Sequence, residues 1–136
     1  MKKLLYFILG LVLLLVIAWF VFLNLPKASF KNKAADFNIE ANAFYHEFET
    51  NEKKSNTKYT GKTIEVSGTI AEISTDKQSA TVVMLESDNP MNGIMCTLEG
   101  KPSKELQIGQ KISIKGLCTG YLMGVIMNKC TITQYQ

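Results

Sequence analysis

The chain has 136 residues, 46% of them hydrophobic and 20% charged, which leaves room for one small globular domain plus a leader and excludes a disordered chain. The formal net charge is +3 and all 15 basic residues are lysine, so the bidentate donor for phosphate and guanine is missing. From Tyr59 to Gln136 seven lysines face seven acids, a balance that weighs against nucleic acid as the ligand.

Leu4–Leu25 is the first element. Up to Leu23 it holds no charged or strongly polar residue. About twenty apolar residues at helical rise match a bilayer core of roughly 30 Å. Tyr6, Trp19 and Phe20 lie towards its ends, where aromatic residues favour the interface. A cleaved signal peptide would have a shorter apolar core and a small-x-small site, but Trp19 follows Ala18. No cysteine near the end of the run offers itself for lipidation. Residues 1–25 are therefore expected to be an uncleaved signal anchor, a single transmembrane helix in the cell membrane. Lysines flank both ends, so charge alone does not orient it. With so short an amino-terminal tail kept inside, the rest of the chain is extracytoplasmic.

Residues 26–37 read as a polar linker opened by Pro26. Residues 38–58 read as one amphipathic helix. Asp36 or Asn38 caps it, Lys53 and Lys54 suit its last turn, and Ala41, Phe44, Tyr45 and Phe48 form an apolar stripe at helical spacing. That stripe needs a surface to pack on. His46, the one histidine, falls on the polar side of the helix with no further ligands at metal-binding spacing, so neither a metal nor a cofactor is expected.

Residues 59–136 read as a barrel. In GKTIEVSGTI (61–70) Ile64 and Val66 point one way and Thr63, Glu65 and Ser67 the other, and GQKISIKG (109–116) repeats the design. Gly68 allows a bend or bulge. Strands are expected at 63–73, 80–86, 94–99, 110–118 and 123–133, with turns at 74–79 and 87–93 and a short helix at 102–107. The fold class is then mainly β, a five-stranded Greek-key barrel in the order β-β-β-α-β-β, which is the OB-fold order.

Two motifs, N-E-x-x-x-N-x-K-Y-x-G-K at 51–62 and G-x-C-x-G-Y at 116–121, together with GIMCTLE at 93–99, resemble the bacterial tRNA_anti-like OB-fold family over about residues 36–133. The resemblance implies the fold. The family's name records a likeness to anticodon-binding OB domains and carries no assigned activity. Gly124 stands where such proteins often have an acidic residue, so any role of that acid is absent here.

Three constellations could carry chemistry. Cys96, Cys118 and Cys130 alternate inward on three strands. Cys118 and Cys130 both belong to the carboxyl-terminal stretch that resembles the family, which makes them the disulfide candidates. Cys96–Cys130 is the rival pair, and three buried free thiols the alternative. No C-x-x-C occurs, and no base stands near a thiol. On the usual OB ligand face, Val82, Met84, Met95 and Thr97 point outward, with Met91 in the adjoining turn. Either the helix lays Phe44 and Phe48 across this face, or the face receives a partner. In the loop CTGYLMG, Tyr121 and Met123 stand at a barrel mouth, where Tyr121 either stacks on a ligand or plugs the opening.

No catalytic set emerges, so no enzyme is expected. The expected function is a membrane-anchored extracytoplasmic OB-fold binding module for a protein or peptide partner of the cell envelope. The alternative is oligonucleotide or oligosaccharide binding through the same face. That face lacks the aromatic residues single-strand binding uses.

Overall fold

The computed structural model describes residues 2–24 and 32–136, without the side chains at 2, 4, 5 and 7. Helix α1 runs Lys2–Leu23, and its described apolar side chains are exposed, from Ile8 at 50% to Phe22 at 73%. Among the described residues no helix is long and apolar enough to cross a membrane, so the spanning helix expected over Leu4–Leu25 is not supported there. The side chains of Leu4, Leu5 and Phe7, with Leu25 and linker residues 26–31, lie outside the described residues.

The expected single helix over 38–58 is corrected to three elements. Strand β1 is Phe37–Glu40, helix α2 is Ala41–Thr50 and helix α3 is Glu52–Tyr59. Asn51 breaks the helix, because at φ −154° and ψ 84° it leaves helical space and its side chain caps α3 by accepting from Lys54 N at 3.0 Å. Lys53 and Lys54 thus open α3 rather than close a longer helix. Asp36 does not cap α2; its carboxylate accepts from Thr63 N at 2.8 Å. Ser55 Oγ donates to Glu47 O at 2.8 Å and ties α3 back onto α2.

The barrel strands are β2 (Thr63–Thr75), β3 (Thr81–Leu85), β4 (Ile94–Leu98), β5 (Lys111–Tyr121) and β6 (Val125–Tyr135). They follow the order β2-β3-β4-β6-β5, and β5 pairs back onto β2, which closes a five-stranded barrel. The β4–β6 pairing is parallel and the other barrel pairings are antiparallel. This is the expected OB order, with β1 added in parallel to the first half of β2. The expected helix at 102–107 does not form; residues 99–110 are bends, turns and irregular chain.

The alternation holds where it was clearest. Ile64, Val66, Val83, Leu85, Ile94, Cys96 and Leu98 all face the interior. It fails at Thr63 and Ser113, which strand alternation turns away from Ile64, Val66, Ile112 and Ile114 and which are nevertheless buried. Thr63 is held at the chain's turn into β2, where Asp36 N donates to its carbonyl at 2.7 Å, and Ser113 sits beside a register shift against β6. Glu65 and Lys115 are direct cross-strand partners, as a solvated ion-paired ladder requires.

Helix α2 packs on β1, β2 and β6, and α3 on β5. Gly68 makes the α2–β2 contact possible, since a Cβ there would lie 2.8 Å from Ala41 Cβ. Phe44, Phe48 and Tyr59 form one buried aromatic cluster, with Phe44 and Tyr59 edge-to-face at 5.0 Å. Such pairs contribute about 0.5–1.5 kcal/mol each beyond area burial.

Candidate functional site

The helices leave the outer face of β3 and β4 open. Val82 pairs with Thr97 and Met84 with Met95 across the two strands, so all four side chains share that face. Phe44 and Phe48 do not cross it, because α2 packs elsewhere on the barrel. Met95 is 46% exposed.

Two loops extend the face. Residues 86–93 join β3 to β4, and 122–124 join β5 to β6. Two glycines press them together. Val125 N donates to Gly93 O at 3.1 Å, and a Cβ at position 124 would stand 2.6 Å from the same oxygen. A Cβ at position 93 would collide with the Leu85 carbonyl. Backbone therefore meets backbone, and the side chains beside the glycines gather in one place. Met84, Met91, Met95, Met123, Leu122 and Ile126 line a shallow cavity of about 70 Å³. Met91, Leu122 and Met123 are among the most exposed large apolar side chains of the domain. Met123 also adopts φ 61°, a left-handed conformation that a non-glycine residue rarely takes.

Both loops are braced from α2. Met91 N donates to Asn89 Oδ1 at 2.9 Å, an Asx turn, and Asn89 Nδ2 donates to Tyr45 Oη at 3.3 Å. The Tyr45 and Tyr121 hydroxyls lie 3.5 Å apart. Tyr121 stacks flat on Phe48, with ring centroids 5.6 Å apart and planes at 9°. Its ring closes the barrel against α2, while Met123, two residues on, reaches the methionine cavity. The hydrogen bond to Tyr45, with burial, pushes the Tyr121 phenol up to about 12.

The three thiols are buried and free, and no disulfide joins Cys118 to Cys130. Their register forbids that pair as direct neighbours. Cys118 stands opposite Met127, and Cys130 opposite Leu98. Cys130 Sγ instead occupies the space where a side chain at Gly116 would be. Burial raises the Cys118 thiol to about 11, and Cys130 is raised by its contact with Cys96 and by burial. Neither is a nucleophile at neutral pH.

His46 is exposed on α2, with Nδ1 4.0 Å from Glu49 Oε2. Among the described residues no three His, Cys, Asp or Glu side chains converge as a metal site. Glu47 is the better-placed acid. It accepts from Tyr59 Oη at 2.8 Å and from Lys58 Nζ at 3.0 Å. Burial opposes its charge, but these two donors prevail and hold its carboxyl below the ordinary range. The triad ties α3 onto α2.

The OB barrel and the motifs at 51–62 and 116–121 agree with a comparison across protein families, in which the tRNA_anti-like model matches residues 1–132. The chain belongs to the tRNA_anti-like family. A crystal structure from Klebsiella pneumoniae subsp. pneumoniae MGH 78578, titled a "putative nucleic acid-binding lipoprotein", has a similar fold. The TM-score is 0.57 at 17% identity, covering 71% of this chain and 91% of that one. Identity so low shows a shared fold alone. No curated protein matches this tRNA_anti-like chain.

Sequence reasoning placed Met84 and Met95 on one face with Met91 in the adjoining turn, and named Met123 separately at a barrel mouth. It did not bring Met123, Leu122 or Ile126 to the other three. The signal was present in Gly93 and Gly124, but the contact between two distant glycines is not a local property.

Proposed function

We propose that this tRNA_anti-like protein is a membrane-tethered binding module of the cell envelope, with its barrel outside the cytoplasm and its β3–β4 face taking a protein or peptide segment. One observation carries the reading. Met91, Leu122 and Met123 are 84%, 75% and 74% exposed around a single cavity, whereas apolar side chains on the inner side of the same strands are fully buried. A contiguous exposed apolar patch marks an interaction surface, and methionine suits adaptable peptide contacts. The tether rests on α1, a 22-residue helix with exposed apolar side chains, which needs an apolar surrounding. The lipoprotein named in the structural comparison is in keeping with an envelope location.

The test is photocrosslinking from position 95 and position 123 in intact cells, with position 72 on β2 as a reference. The same partner captured from 95 and 123, and not from 72, is expected. Capture from all three alike, or from none, refutes the reading.

A second reading, single-stranded nucleic acid, is favoured by the fold shared with the Klebsiella protein described as a "putative nucleic acid-binding lipoprotein". It would show as a gel shift that weakens steeply with salt. The absence of aromatic residues and arginine on the face counts against it.

A further inference from the structure

We propose that Met84, Met91, Met95 and Met123 form a binding site for a soft monovalent metal ion, copper(I). The proposal concerns the ion and does not depend on a peptide partner.

The choice of residue comes first. The chain has six methionines, and four of them line this one cavity. Of the other two, Met127 is in the barrel core and Met1 begins the chain. Apart from Met127, the described apolar positions elsewhere are filled without methionine: α1 is built mainly from leucine, isoleucine, valine and aromatic residues. An apolar docking face could be made from the same residues. What four methionines add is four thioether sulfurs, the one neutral soft donor among the side chains.

The surroundings select the metal. None of the residues lining the cavity is His, Cys, Asp or Glu, and Asn92 supplies the one polar side chain. Zinc needs imidazole, thiolate or carboxylate donors, and calcium and magnesium need several oxygens including carboxylates, which the single Asn92 amide does not supply. Copper(I) takes thioethers.

The geometry allows convergence. Met84 and Met95 are cross-strand partners on one face, which sets their Cβ atoms roughly 4.5–5.5 Å apart. The Gly93–Gly124 contact brings the loops of Met91 and Met123 over that pair. Methionine has an unbranched, flexible side chain, so the two exposed residues can fold inward over an ion. The braces from Asn89 and Tyr121 to Tyr45 hold the backbone of both loops in place beforehand. The left-handed φ at Met123 fits the same picture: a strained conformation kept by methionine where glycine would be relaxed. Because thioethers carry no proton, binding should be equal at pH 5 and pH 7, unlike that of an imidazole or thiolate site.

Silver(I), which does not change oxidation state here, serves as the probe. The full-length chain in detergent, labelled with ¹³C in the methionine methyl groups, is titrated with silver nitrate. Resonances of Met84, Met91, Met95 and Met123 should shift together and saturate at one ion per chain, with Met127 unmoved. Zinc(II) should move none of them. Met84→Leu with Met95→Leu keeps the apolar surface, and should weaken silver binding by at least the roughly 10–100-fold that loss of an outer-shell partner costs a metal site. Met91→Leu, at an exposed loop position, should weaken binding without touching the fold. The proposal is overturned if the four methyl groups do not move, if silver binds the leucine variants as tightly, or if the buried thiols take up the silver and only Met127 responds.

Discussion

Gly124 faces the Gly93 carbonyl oxygen so closely that a Cβ would fall 2.6 Å from it. This contact joins the two loops that carry Met91 and Met123. It also leaves no room for a side chain at position 124. Gly124→Ala should therefore destabilise the domain by roughly 1–3 kcal/mol, the cost of overpacking where neither backbone can give way. Urea denaturation measures this. A variant as stable as the parent would show that the two loops separate freely.

The stack of Tyr121 on Phe48 predicts how α2 is held. Phe48 is buried, and its removal takes away contacts with Phe44, Tyr59 and Tyr121 together. Phe48→Ala should cost about 3–5 kcal/mol. Tyr121→Phe keeps the stack and loses one weak hydroxyl contact, so it should cost about 1 kcal/mol or less. A ratio near one between the two, in thermal or chemical unfolding, would contradict the stacking account.

The Glu47–Lys58–Tyr59 triad predicts a pH dependence. The Glu47 carboxyl is held below its ordinary 4.5, with hydrogen bonds from Lys58 and Tyr59 overcoming burial. A depressed carboxyl stabilises the fold above its unfolded pKa, and that contribution fades as pH falls below about 4.5. Lys58 is raised above 10.5, chiefly by its bond to Tyr59, and Tyr59 above 10.0, chiefly by burial. Raised groups stabilise below their unfolded values, and their share is lost as pH climbs beyond roughly 10. Stability should be flat between the two edges, and Glu47→Gln should remove the part of the acid edge that this carboxyl supplies. Melting curves against pH test both points. An unchanged acid limb in the variant would remove Glu47 from the account.

The thiols should be silent. With Cys118 pushed up to about 11, roughly one molecule in a thousand carries its thiolate at pH 8, and all three sulfurs are shielded from solvent. Iodoacetamide should label none of them in the folded chain and all three in guanidinium, counted by mass spectrometry. Rapid labelling of the native protein would mean that the barrel opens or that a thiol is activated.

Met123 offers a last prediction. Relieving its left-handed conformation with glycine should leave stability equal or raise it by up to about 1 kcal/mol, while weakening ligand binding at the cavity. A loss of stability would show that Met123 is held by packing rather than by function.

Much of the fold was legible because it is local. Period-2 alternation placed Val83, Leu85, Ile94, Cys96 and Leu98 inside, and the spacing of turns gave five strands in the OB order. The helix stripe Ala41, Phe44, Tyr45 and Phe48 was correct in its face, although Asn51 divides the longer helix in two. The short helix expected at 102–107 rested on weak local preference, and bends and irregular chain stand there instead.

What the sequence determined by itself was therefore which side of each strand and helix is apolar, since that follows from residue spacing alone. The tertiary structure decided which apolar groups stay uncovered. Whether α2 would blanket the β3–β4 face, whether Tyr121 would meet a ligand or Phe48, and whether Cys118 and Cys130 would stand opposite one another depend on register shifts and on backbone contacts between distant glycines. Gly93 and Gly124 are thirty-one positions apart in the chain, and their contact is what turns scattered methionines into a single site.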